Sequence, residues 1–387
     1  MRTPHKDAPA QNVYSLHFPP LSSTFRRLPS RLMILRLSPQ TQRALDILTR
    51  EQRARFAAIC AECEDHLADH ALPNLPWAVS AALSPSNRGR NRYLNVFPWD
   101  RTRVKLPAPD HLDYINASWV DMGANRQYIA AQGPLHNTGH HFWAMCYQEA
   151  ERRGCAAVAI CMVTPLVEAG IEKCARYWPL ERAPVLELSH LLAQDHITPA
   201  LTVTWQSETA HPDGFVVTEM TLALPTTTKR VFHYAYLGWR DTRVPESPKP
   251  LLALSHVLGE MRAQHPGLVP IVHCSAGVGR TGTFIALDSW CRAPTSPAPA
   301  STFEPKSEEP DNAPSKRAAE MLPSHLHLTC ANSTPSQPSK SHFSQPEEHP
   351  DDLVFQTVRR LRRERMMMVQ TVHQYTWLYS VAKLLCE

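Results

Sequence analysis

An α+β domain is what this sequence predicts, on three observations. Apolar runs of strand length recur between residues 90 and 225, patterns of helical period recur elsewhere, and the two do not alternate strictly. Ala156–Val163, the longest uninterrupted apolar run, has the length of one buried strand, and Tyr128–Ala131 that of a shorter one. Upstream, Leu45, Leu48, Phe56, Ile59 and Leu67 recur at roughly helical spacing over Ser38–Asp69. His140-His141-Phe142-Trp143 opens a helical pattern that runs to about Arg152. Leu251–His265 reads as a helix ended by Gly267, Leu268–His273 as a buried strand, and Gly279–Trp290 as another helix. Asp352–Arg365 and Gln374–Leu385 complete the helical patterns.

Proline sets the domain organisation. At roughly 150 residues per domain, 387 residues would suggest two to three domains. Of the 35 prolines, however, 11 lie between Pro294 and Pro350, together with 10 serines and no glycine. Such a stretch buries too little apolar surface to offset its ordering entropy, so 291–350 is expected to be a disordered insertion. Residues 1–40, with Asp7 as their single acidic residue, are expected to be a disordered tail. Their arginines also suit a mitochondrial targeting segment, but their prolines oppose the amphipathic helix that such a segment needs. What remains, 41–290 with 351–387, suits one large domain.

Several classes are excluded. No run of about 18 apolar residues exists, so no membrane span is expected. A net charge of +4 is small for a nucleic-acid binder. The 10 scattered cysteines read as those of a reduced, cytoplasmic protein, with the nucleus also open. Cys60-x-x-Cys63 with His66 lacks the second thiol pair that would complete a zinc site.

The segment that carries chemistry runs His273-Cys274-Ser275-Ala276-Gly277-Val278-Gly279-Arg280-Thr281-Gly282. An apolar strand enters it and an apolar helix leaves it. Glycines permit the backbone angles that let successive N–H groups converge on one point. The helix N-terminus adds donors and partial positive charge there. The result is a cradle for a tetrahedral dianion, with Arg280 able to grip two of its oxygens. The same field favours the thiolate of Cys274. An ordinary thiol is only ~3% ionised at neutral pH, so full ionisation is about a thirtyfold gain in nucleophile.

These residues resemble the signature loop of the cysteine-dependent protein-tyrosine phosphatases, and further matches follow in that family's order. Asn91-Arg92-Tyr93 with Pro98-Trp99-Asp100 is similar to its phosphotyrosine-recognition segment. Asp113-Tyr114-Ile115-Asn116-Ala117-Ser118, Tyr128-Ile129-Ala130-Ala131-Gln132-Gly133-Pro134 and Tyr177-Trp178-Pro179 are similar to its core motifs, and Val369-Gln370-Thr371 to its glutamine loop. The resemblance spans about residues 45–290 and 351–385 and implies the large, tyrosine-specific, non-receptor type. It implies a three-layer, α/β-like arrangement in which helices flank a highly twisted mixed β-sheet. It also implies phosphotyrosine-containing proteins as substrates, no metal, no cofactor and, by default, a monomer.

Roles follow from the resemblance position by position. Cys274 is the nucleophile, Arg280 binds phosphate, and Thr281 hydrogen-bonds the sulfur as it leaves. Asp241 is the general acid and then base. Gln370 positions the attacking water, with Gln374 nearby. Ser275, Ala276, Gly277, Val278 and Gly279 cradle the phosphate, and His273 precedes the nucleophile. Tyr93 walls a cleft deep enough for a phenolic ester and too deep for phosphoserine. Asn95 binds the substrate backbone, and Lys173 contacts Asp241 or the phosphate. Glu168 holds Arg280 by an ion pair, unless it is a solvated loop carboxylate. Trp239 is the hinge of the acid loop. His136, His140 and His141 are expected in surface or structural roles.

Three features depart from the family. The acid loop reads Trp239-Arg240-Asp241-Thr242-Arg243-Val244-Pro245, where relatives usually have Pro after Trp and Phe-Gly after Asp. The added arginines favour the ionised form of Asp241, which opposes its acid role. Met367 stands where many relatives have Gly and narrows a secondary pocket. The third departure is the insertion itself. A silent phosphotyrosine-binding module and a lipid or small-molecule phosphatase are the competing functions. The first would lose Cys or Asp, and the second would favour Lys or Arg inside the signature loop.

Overall fold

The computed structural model describes eight positions within 39–50, then 77–109, 112–124, 126–197, 200–240, 243–292 and 352–386. The expected tail apart from 39 and 40, the Cys60–His66 stretch, most of the Ser38–Asp69 helix and nearly all of the insertion lie outside these residues, as do Asp241 and Thr242.

The described residues build a nine-stranded mixed sheet in the order β1-β2-β3-β11-β4-β10-β9-β8-β7. Its strands are β1 Arg103–Lys105, β2 Tyr114–Asp121, β3 Gln127–Ala131, β4 Ala157–Met162, β7 Val185–Glu187, β8 Thr202–Ala210, β9 Val216–Ala223, β10 Thr228–Ala235 and β11 Ile271–His273. A small hairpin pairs β5 Val167–Glu168 with β6 Ile171–Glu172. The centre of the sheet, β3-β11-β4-β10, is parallel, and both wings are antiparallel. This matches what the resemblance implies. β4 is buried at all six positions, which is why it reads as an unbroken apolar run. β9 instead alternates, with Thr218, Met220 and Leu222 inward.

The helices are α1 Ser80–Leu83, α2 Gly139–Arg152, α3 Ser189–Gln194, α4 Lys249–Gln264, α5 Gly279–Cys291, α6 Leu353–Glu364 and α7 Val372–Cys386. α2 packs on β4, α5 on β11 and β3, and α6 on β2, while α5 also touches α4, α6 and α7. Asp352 caps α6 by accepting from Phe355 N at 2.8 Å. After α4, Gly267 takes φ +84°, and a Cβ there would lie 2.9 Å from the Arg153 carbonyl. The strand expected over Leu268–His273 shortens to three residues because Pro270 has no N–H and Leu268 N closes a turn on His265 O. No described helix is long and apolar enough to cross a membrane. The described cysteines with placed side chains are all free.

β11 matters most for function. It lies between β3 and β4, the middle of the parallel segment. A chain leaving its carboxyl end enters the crevice where open sheets of this kind place their ligands.

Candidate active site

β11 ends at His273, and residues Cys274 to Val278 turn the chain into α5. Gly277 permits the turn. Its φ is +72°, and a Cβ there would stand 2.1 Å from the Ala131 carbonyl oxygen. The loop curls so that Gly277 N donates to Cys274 Sγ at 3.3 Å. α5 starts at Gly279, so its free amide donors lie at the same loop. Gly133 is also required to be small, since a Cβ there would lie 2.6 Å from the Cys274 carbonyl oxygen.

Arg280 is buried. It donates to the Trp239 carbonyl at 2.7 Å and pairs with Glu168 Oε2 at 3.5 Å. Tyr93 stands across the loop, its hydroxyl 2.8 Å from Ser275 Oγ. Asn95, Lys173, Ala276, Gly279, Gln370 and Gln374 join Tyr93, Ser275, Cys274 and Arg280 around a cavity of about 270 Å³. Gly279 lets the glutamines close in: a Cβ there would meet Gln374 Oε1 at 3.1 Å and Gln370 Oε1 at 3.2 Å. Gln374 Oε1 accepts from Gln370 N and Thr371 N at 3.0 and 3.2 Å, shaping the glutamine loop. Val278 supports from behind, its carbonyl accepting from Gly282 N and Val369 N.

Thr281 Oγ1 is buried without a hydrogen-bond partner among the described residues, and it is the Gly277 amide that bonds the sulfur. Asp241 is outside the described residues, but its frame is present. Trp239 is buried and donates from Nε1 to the Arg243 carbonyl at 2.8 Å, with Arg240 and Arg243 both exposed.

A buried relay supports the nucleophile. His273 Nδ1 lies 3.2 Å from the Cys274 carbonyl, so it carries the proton and donates. His273 Nε2 is then bare and accepts from the Tyr177 hydroxyl at 2.7 Å. His233 Nε2, 2.9 Å away, must donate to the same Tyr177 oxygen. Burial pushes His233 down to about 3 and His273 to about 4, so both are neutral at physiological pH.

Arg365 is the residue that sequence reasoning missed. It is fully buried, donating to the carbonyls of Gly277 at 2.9 Å and Ala276 at 3.1 Å and to Asn116 Oδ1 at 2.6 Å. These bonds turn two loop carbonyls away from the cavity, and burial lowers its pKa to about 10. The signal was present: Val354, Val358 and Leu361 form the buried stripe of α6, and Arg365 continues it at helical spacing. Arg92 was read only as part of a motif. It ties the recognition segment to the Gly133 and Pro134 carbonyls.

Among the histidines, His136 is exposed and bonded to Glu172, whereas His140 and His141 are buried. A second cavity, about 430 Å³, lies between Trp290, Leu353 and Leu385, and among the described residues no cysteine, histidine or carboxylate lines it.

Comparison with known proteins agrees with this geometry. The family profile described as Protein-tyrosine phosphatase matches residues 87–304 and 340–383. Tyrosine-protein phosphatase 1 of Saccharomyces cerevisiae is 33% identical over 336 residues, covering 81% of this chain and 87% of that protein. Tyrosine-protein phosphatase 1 of Schizosaccharomyces pombe is 31% identical over 313 residues, covering 80% and 46%. Human tyrosine-protein phosphatase non-receptor type 2 is 37% identical over 215 residues, covering 54% and 47%. With the match spanning well over half its length, this chain belongs to the protein-tyrosine phosphatase family, as an enzyme of the non-receptor type.

Proposed function

We propose that this enzyme hydrolyses phosphotyrosine in cytoplasmic proteins through a phosphocysteine intermediate. Cys274 Sγ attacks phosphorus, forming the S–P bond as the P–O bond to tyrosine breaks. Asp241 gives its proton to the departing phenolate oxygen. Gln370 and Gln374 hold a water, Asp241 takes its proton, and the oxygen attacks phosphorus. The S–P bond breaks and inorganic phosphate leaves. Arg280 and the loop amides carry the charge of the transferring group throughout. Tyr93 sets the depth at which only a phenolic phosphate reaches the sulfur.

The observation that carries this reading is the shared cavity: the Cys274 thiol, Arg280 and the Tyr93 wall line one space of about 270 Å³. Its test is phosphate release from a phosphotyrosine peptide and from its phosphoserine counterpart. Wild type should release phosphate from the first only, and Cys274→Ser from neither. Asp241→Ala should slow release by about 10²–10⁴-fold while still binding the peptide. Full turnover by Cys274→Ser would refute the mechanism.

A further inference from the structure

The consecutive histidines at the start of α2 converge. Neighbours on a helix are turned about 100° apart, yet these ring centroids are 4.2 Å apart. Both Nε2 atoms reach one oxygen, Asp195 Oδ2, at 2.6 Å from His140 and 2.7 Å from His141. Asp195 follows α3, 54 residues beyond His141. The two rings are buried, and Asp195 keeps 30% of its side chain exposed, which leaves one side open to solvent. The Nδ1 atoms of both rings are buried with no hydrogen-bond partner among the described residues. Asp195 only accepts, so each Nε2 carries the proton it donates and each Nδ1 is a bare nitrogen to which that proton can move, freeing the Nε2 lone pair.

We propose that His140, His141 and Asp195 form a structural site for a divalent transition-metal ion of the zinc class. Their ligand atoms all lie within 4.8 Å of one another. Two imidazoles and one carboxylate suit zinc or cobalt(II), with water on the open side as the fourth ligand. Calcium and magnesium prefer an all-oxygen set. Bond lengths of about 2.0–2.2 Å put tetrahedral donor atoms roughly 3.4 Å apart. The carboxylate reaches that spacing by backing away less than about 1 Å, and each ring proton moves to Nδ1 as Nε2 binds. The far oxygen, Oδ1, faces Arg90 at 3.7 Å, and this guanidinium is held by the Leu112 and Tyr114 carbonyls. Its charge weakens the ion's binding but does not occupy its place. A bound ion joins α2 to the α3 turn, outside the catalytic cavity, and takes no part in the chemistry.

The test is a cobalt(II) titration of full-length Cys274→Ser protein, whose catalytic thiolate is removed as a competing ligand. One equivalent should bind, with visible ligand-field bands and no thiolate charge-transfer band. Adding Asp195→Asn, which keeps size and hydrogen bonding, should weaken binding at least tenfold, and His141→Gln should do the same. Zinc should raise the melting temperature of the parent more than that of either double variant at the same concentration. Absence of binding by the parent, a sulfur-type spectrum, or equal affinity in the Asp195→Asn variant would overturn the proposal.

Discussion

Met367 and Val369 both take φ of +58°, a region that burdens any side chain with a Cβ and a β-branched one most. Neither is glycine, so the strain is held by surrounding bonds: Val369 N donates to the Val278 carbonyl, and Arg362 bonds the carbonyls of Met368 and Val369. Met367 is half-buried against the core. We expect its side chain to fill the space a second phosphotyrosine would use. Wild type should show less than about a tenfold preference in kcat/KM for a doubly phosphorylated peptide over a singly phosphorylated one, and Met367→Gly should raise that ratio. A wild-type ratio of tenfold or more contradicts this. Arg365 shows the limit of reading single residues. In sequence it lies in the charged run Arg362-Arg363-Glu364-Arg365 and looks solvated; only the turn of α6 carries it inside, beneath the phosphate loop.

Two elements can be altered without touching the sulfur. The acid loop is framed by Trp239, whose carbonyl takes the Arg280 bond and whose indole bonds the Arg243 carbonyl. Arg240 stands where proline would fix an angle, and Arg240 and Arg243 are both exposed; we expect their charges to favour the carboxylate form of Asp241. Profiles of kcat against pH should therefore place the wild-type optimum below that of an Arg240→Pro/Arg243→Gly variant, or its turnover lower; coincident profiles reject the argument. The described residues on either side of 293–351 meet, since Trp290 of α5 donates to Thr357 of α6 at 2.9 Å. Replacing residues 293–351 with a short Gly/Ser linker should leave phosphate release within about twofold of wild type, because the entropy of closing a connection changes slowly with its length. Loss of activity would show that it serves the site.

Acid should unfold the whole domain through its buried imidazoles. His233 and His273 are held far below the ordinary histidine value by burial, so the folded protein keeps them neutral. Below about pH 6.5 the unfolded chain binds protons that the folded one cannot. Stability therefore falls as pH drops from about 6.5 toward 4, by up to about 1.4 kcal/mol per pH unit for each group. Urea unfolding across that range should show a shallower fall in His233→Gln than in wild type; equal slopes would contradict the assignment. Much of the architecture was legible because central elements are written in unbroken apolar runs, as β4 is, or in helical stripes, as α6 is. The exposed half of β8, from Gln206 to Ala210, carries no such pattern. The signature loop was legible because its glycines and its arginine are local. The meeting of Asp195 with His140 and His141 was not, because it is made by tertiary folding across 55 and 54 residues.

Alkylation of Cys274 by iodoacetamide at about pH 6, followed residue by residue with mass spectrometry, decides whether the loop holds a sulfur anion. The fold and the Gly277 amide predict labelling at least tenfold faster than that of free cysteine, with vanadate protecting the site. Labelling no faster than free cysteine, unaffected by vanadate, would contradict the account at its root.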